Sequence, residues 1–172
     1  KIYNGRGYLG CVCTAENGGT QANMTAYVLS FDPNNVAGGF TTAISFPLNY
    51  TREAVGGGGP GAWQTWVSTW QPGMNGQNRR YGQPLVGDIE FADNGDMIIG
   101  LLDRFSHQSG ANNYQALSGS TDLNNWGLNN GDIVKACNAG VNTWALEGTG
   151  TCTDSDPASF AGQSAVDGPS NA

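Results

Sequence analysis

Apolar residues recur at about every second position through much of this chain, and that period most restricts its fold. "YLGCVC" (8–13), "TAYVLSFD" (25–32), "FTTAISF" (40–46), "DIEFA" (88–92), "DMIIGLL" (96–102), "DIVKAC" (132–137) and "NTWALE" (142–147) carry the pattern. A side chain repeats its direction every two residues on a strand and every 3.6 on a helix, so these segments read as strands. Between them stand turn-forming stretches: "NGRG" (4–7), "DPNNVAGG" (32–39), "DNG" (93–95) and "NAGV" (138–141). Asn-Gly, at 4–5 and 94–95, is the strongest short hairpin signal, because both residues accept positive φ.

The strands fall into four hairpins: 1–3 with 8–13, 25–32 with 40–46, 88–92 with 96–102, and 132–137 with 142–147. Two consecutive hairpins make a four-stranded antiparallel meander, the blade of a β-propeller. The expected fold class is therefore all-β, with about two propeller blades. The blade-like units lie at about 1–46 and 86–147 of a partial propeller over 1–152. Propellers close with about four to eight blades, and single repeats rarely bury their own core. The chain, which begins at Lys1 rather than Met, is thus expected to be an internal piece or to be completed by other chains. Two segments interrupt the pattern: a long insertion at 47–85, and 106–131, rich in Ser, Asn and Gly; a small polar tail occupies 153–172.

Charge narrows the partners. Charged residues make up 12% of the sequence, the net charge is −7, lysine occurs only at Lys1 and Lys135, and no basic cluster exceeds Arg79-Arg80. Phosphate binding needs concentrated Lys and Arg, so nucleic acid is excluded as a partner, and an anionic membrane surface with it. No run reaches the roughly 18 apolar residues of a transmembrane segment. Polarity supplied by Asn, Gln, Thr, Ser and 27 glycines suits a loop-rich extracellular β-protein.

The acidic residues raise the question of catalysis. Asp88, Glu90, Asp93 and Asp96 fall within nine positions. Asp93, Asn94 and Asp96 are the residues a tight turn needs, because their side chains bond turn amides. Asp88 and Glu90, two apart, share one strand face, where carboxylates are uncommon, and could bind water, a cation or a partner. Two carboxylates on one strand do not flank a sugar as a glycosidase pair must. "DLNNWGLNNGD" (122–132) starts like a calcium-binding EF-hand loop but places Trp126 at position five and Ile133 at position twelve, where a Glu is needed. Asp88, Glu90, Asp122 and Asp132 are the calcium candidates.

Trp63, Trp66 and Trp70 are candidates for stacking on sugar rings; the alternative is that they plug the gap between the insertion and the sheets. Asp103 and Arg104 read as a local ion pair at a strand end, with recognition of a ligand carboxylate as the second reading. His107 beside Ser106 does not make a triad, and no G-x-S-x-G occurs. Of the four cysteines, Cys137 and Cys152 are the favoured disulfide; Cys11 and Cys13 share a strand face. Zinc held by all four is disfavoured by their spacing and the lack of a nearby His. Asn23-Met-Thr25 and Asn49-Tyr-Thr51 match the N-glycosylation pattern.

The succession "KIYNGRGYLGCVCTAE", "AYVLSFDP", "SFPLNYTR", "QPLVGDIEFADNGDMIIGLLDRF" and "GDIVKAC" resembles the propeller-like head of large bacterial surface proteins, which often precedes SdrD B-like or other immunoglobulin-like repeats. The resemblance covers most of residues 1–152, and "GDIEF…NGDMIIG…DR" is its most specific part. The chain departs from it at "LLDRFSHQSG", where a more acidic or glycine-rich turn is expected. The resemblance implies a secreted or surface-anchored protein and carries no catalytic residue. The resulting expectation is a structural or adhesive component of a bacterial extracellular protein, surface or filament. Its partners would be the rest of the polypeptide, neighbouring subunits or glycans. The alternatives are a polysaccharide-acting enzyme using Asp88, Glu90 and Asp103, and a glycan-binding module using the tryptophans.

Overall fold

A computed structural model describes residues 1–52, 61–69, 81–109, 111–114, 118, 119, 121, 125, 126, 131–150 and 152. Its framework is two four-stranded antiparallel sheets. The first runs in the order β1 (Ile2–Tyr3), β2 (Arg6–Cys13), β3 (Thr25–Phe31), β4 (Thr41–Pro47). The second is built from β7 (Pro84–Phe91), β8 (Met97–Asp103), β11 (Asp132–Gly140) and β12 (Thr143–Leu146), adjacent in that order. Each is a meander, with neighbours in the sheet following one another along the chain. Two small antiparallel pairs stand outside them: β5 (Thr51–Arg52) with β6 (Gly61–Ala62), and β9 (Ala111–Asn113) with β10 (Asn125–Trp126).

The period-two pattern explains which face of each sheet is inside. In the first sheet Val12 lies opposite Ala26, which lies opposite Phe46, and Val28 lies opposite Ile44. In the second, Ile89, Ile99 and Val134 form one cross-strand row, and Met97 lies opposite both Phe91 and Ala136. These rows pack against each other in a single core that also takes in Leu48, Tyr50 and Trp63. Burial of such side chains contributes about 1.5–3 kcal/mol each, which is why the alternation outweighs local detail in setting the strands.

The sheets stack with β2 against β7 and β4 against β12. The two sheets approach closely at Gly10, where a Cβ would stand 2.2 Å from Cγ1 of Val86. At one end an aromatic group joins the layers. Tyr3 stacks on Phe91 at 4.0 Å between ring centres, and Tyr8 meets both Phe91 and Trp144. The Trp144 indole N–H donates to the Gly95 carbonyl (3.0 Å), fixing the ring over the β7–β8 turn.

Both Asn-Gly signals form turns, of different kinds. Asn4 and Gly5 have φ of 46° and 75° between Tyr3 and its partner Arg6, so they make a two-residue hairpin turn with both centres left-handed. At 92–96 only Gly95 is left-handed (φ 87°). Its N–H donates to the Ala92 carbonyl and the Ala92 N–H donates to the Asp96 carbonyl, a longer turn closed by the glycine.

Two sequence expectations are revised. The last hairpin does not turn at 138–141: β11 continues to Gly140, and Val141-Asn142 form the turn, with Asn142 at φ 51°. The extension is accommodated by an irregularity between Asn138 and Gly140. The segment after β8 is not wholly irregular either, since Arg104–Ser109 form a short helix, α1. The favoured disulfide is present: Cys137 of β11 is bonded to Cys152, with Cα atoms 5.4 Å apart, bracketing β12. No helix among the described residues is long and apolar enough to cross a membrane.

Candidate functional site

Most of the acidic side chains among the described residues are engaged by the protein's own donors. Asp88 and Glu90 share the outer face of β7, opposite Gly100 and Ile98, and both are exposed. Asp88 Oδ1 accepts the N–H of the next residue, Ile89 (2.9 Å), and Glu90 pairs with the Lys1 ammonium. Asp132, at the start of β11, accepts the Ile133 N–H on one oxygen (2.9 Å) and the Tyr50 hydroxyl on the other. It lies on the face with Val134, whereas Asp88 lies on the opposite face with Ile133, whose backbone partner is the same Gly100. The structure thus brings Asp88 and Glu90 together and keeps Asp132 apart from them. Asp122 lies outside the described residues. Among the described residues no group of three or more His, Cys, Asp or Glu is placed to hold a metal ion.

Asp96 is the centre of a turn network. Its carboxylate accepts the Asn138 N–H (2.8 Å) and the Asn94 side-chain amide (3.1 Å), and lies 3.4 Å from the Lys135 ammonium. Its own N–H donates to Asn94 Oδ1 (3.0 Å). Burial alone would raise the Asp96 pKa, but the Asn138 and Asn94 hydrogen bonds and Lys135 outweigh it, and the carboxyl sits below its ordinary value. That direction suits a permanently ionised strut. A general acid needs the opposite shift.

Asp103 and Arg104 turn away from each other into one buried cluster. Asp103 is 1% exposed and precedes α1. Its Oδ1 accepts the N–H groups of Gln83 (3.0 Å) and Phe105 (2.9 Å), and its Oδ2 accepts the Ser106 hydroxyl (2.7 Å). This is an N-cap: a carboxylate satisfying the free amides of a first helical turn. Arg104 Nη1 donates to Gln83 Oε1 (2.7 Å), and the guanidinium lies 4.3 Å from the centre of the Trp66 ring. The Trp66 indole N–H donates in turn to the Pro84 carbonyl (3.0 Å). The expected local ion pair is therefore replaced by a cap on one side and a cation–aromatic contact on the other. With Ser106 held by Asp103 and His107 exposed, the Ser-His adjacency assembles no nucleophile.

Trp63 and Trp66 do not form an open platform. Trp63 is fully buried in the shared core, and Trp66 is half-buried beneath Arg104. Trp70 lies outside the described residues. The sequon asparagines Asn23 and Asn49 are both exposed.

Cys11 and Cys13 are free thiols on the outer face of β2, Cys13 exposed and Cys11 half-buried. With Cys137 and Cys152 bonded to each other, a four-cysteine zinc site is not formed. Burial pushes the Cys11 thiol above its ordinary value.

Sequence reasoning missed Gln83, Tyr50 and Lys135. Each acts on a residue 20 or more positions away or across a strand register, and a lone polar residue carries no local signal of such a partner. Asp103 had a signal that was legible: an Asp directly before a short amphipathic stretch is a standard N-cap.

In comparisons with known proteins, no family model matches the chain, and neither a curated protein nor a solved structure matches it.

Proposed function

We propose that this chain is a non-catalytic structural or adhesive module of a bacterial extracellular or cell-surface protein, in which its two sheets are adjacent blades of a larger β-propeller. The observation that carries the reading is the stacking of two meanders in the same order, β2 on β7 and β4 on β12, with apolar side chains left on both outer faces. Leu9 (50% exposed) marks the outer face of the first sheet, and Leu102 and Ile133 mark that of the second. Such faces suit coverage by further sheets, as in a ring of blades. The carboxylates support the non-catalytic part. Asp88 and Glu90 face solvent, while Asp96, Asp103 and Asp132 accept bonds from amides and hydroxyls. The bacterial surface setting rests on the sequence resemblance.

The test is the native mass of the source material under non-reducing conditions. The expected result is a species well above 17.9 kDa that contains this chain, as one longer polypeptide or as an assembly that denaturation separates. A stable monomer of 17.9 kDa would overturn the reading in favour of a closed two-sheet sandwich.

A further inference from the structure

The outer face of the first sheet carries a pair of thiols that the scaffold does not use. Residues 8, 10 and 12 of β2 point inward: Tyr8 and Val12 join the core, and Gly10 meets Val86. Leu9, Cys11 and Cys13 therefore point outward together. The β2–β3 register runs unbroken through this stretch, with Cys11 opposite Tyr27 and Cys13 opposite Thr25. Strand pairing thus fixes the spacing of the two thiols.

That spacing rules out their bonding to each other. Two residues of strand advance the chain by about 6.8 Å, and parallel Cα–Cβ bonds keep the Cβ atoms about as far apart. A disulfide needs Cβ atoms about 3.8 Å apart. Each sulfur can nevertheless lean about an ångström or more toward the other by rotation about its Cα–Cβ bond, leaving a gap that fits one ion between them. No third His, Cys, Asp or Glu joins the pair among the described residues. Zinc, which takes four ligands, is not satisfied here. Calcium and magnesium require oxygen donors, and the pair supplies sulfur.

We propose that Cys11 and Cys13 form a two-sulfur binding site for a soft monovalent metal ion of the copper(I) class, held on the outer face of β2. Thiolates are the ligands such ions prefer, and two of them complete a two-coordinate site. On binding, two S–H bonds break, two sulfur–metal bonds form and both protons leave to solvent; no electron is transferred. The neighbouring Leu9, Thr25, Tyr27 and Leu29 carry no charge, so specificity rests on the sulfurs alone. In the proposed ring this face would meet the next sheet, so the site would lie at that seam, and in the chain by itself it is open to solvent.

The probe is copper(I), supplied without oxygen as its coloured bicinchoninate complex to the full chain with the Cys137–Cys152 disulfide intact. The expected result is one copper per chain, read as loss of chelator colour, with no change in the chain's association state. Cys13→Ser and Cys11→Ser should each lose the uptake, while zinc added in equal amount should not compete. Cys13 is exposed, so its serine variant is the one least exposed to a folding defect; its far-ultraviolet spectrum should match the parent. Failure of the parent to take copper from the chelator would overturn the proposal. So would uptake that survives Cys13→Ser, or one copper per two chains with a doubled mass, which would mean bridging between molecules.

Discussion

Replacing Asp96 by Asn should destabilise the fold at neutral pH and much less in acid. The structure sets the size of the effect. The Asp96 side chain is 11% exposed and accepts the Asn138 N–H and the Asn94 amide, with Lys135 at 3.4 Å. Hydrogen bonds to a charged group contribute about 1.5–3 kcal/mol. An Asn keeps the shape and one acceptor oxygen but loses the charge, so a cost of about 1–2 kcal/mol is expected. Alanine would also orphan the Asn138 N–H, raising the cost to about 2–4 kcal/mol. The pH sign follows from the lowered pKa of the folded-state carboxyl. Between the folded and unfolded pKa values the unfolded chain binds more protons, so stability rises with pH through that window. The contribution is complete above the unfolded carboxyl value of about 3.9 and disappears as pH falls through the lower folded value. Urea unfolding of parent and Asp96→Asn at about pH 7 and about pH 2 measures this, since the other carboxylates affect both proteins alike. The difference between them should shrink strongly in acid. An equal difference at both pH values would refute the electrostatic argument and leave only packing.

Three further outcomes follow from the packing. Gly10→Val should cost about 1–3 kcal/mol by driving a side chain into Val86, and Val86→Ala in the same protein should recover part of it, as a double-mutant cycle in urea would show. Asp103→Ala should cost about 2–4 kcal/mol, because it removes the α1 cap and strands the buried Gln83 and Phe105 amides; Asp103→Asn should cost less, and thermal unfolding separates the two. Converting Cys137 and Cys152 together to serine should lower stability by about 3 kcal/mol, from the 15-residue loop they close, with the two-sheet circular dichroism retained at low temperature.

How much of this was legible beforehand varies by residue. The alternation in "DMIIGLL" placed Met97, Ile99 and Leu101 on one face, and all three are in the core. Asn4-Gly5 announced its turn because the requirement for two left-handed residues is local. Cys137–Cys152 was legible from nearness in sequence. The cap at Asp103 was legible, but the distant partners of Asp103 and Arg104 were not. Adjacent opposite charges suggest a pair, but Gln83 donates its N–H to Asp103 and accepts from Arg104 on Oε1, and Trp66 accepts the guanidinium face. Both partners come from the segment before β7. The tryptophans were equally ambiguous, since a buried and a stacking Trp share one sequence signature until the surrounding atoms are placed.

The sequence by itself determined the strands, their hairpins and the order of strands within each sheet, because side-chain alternation and turn chemistry act over a few residues. Only the tertiary structure decided which layer faces which, that Gly10 admits Val86, and that Asp96 is an ionised strut. Those outcomes depend on atoms brought together across 40 or more positions, as Asp96 and Asn138 are. Whether a carboxylate, a thiol or an indole is available for chemistry depends on what packs against it, and packing is settled when the two sheets close.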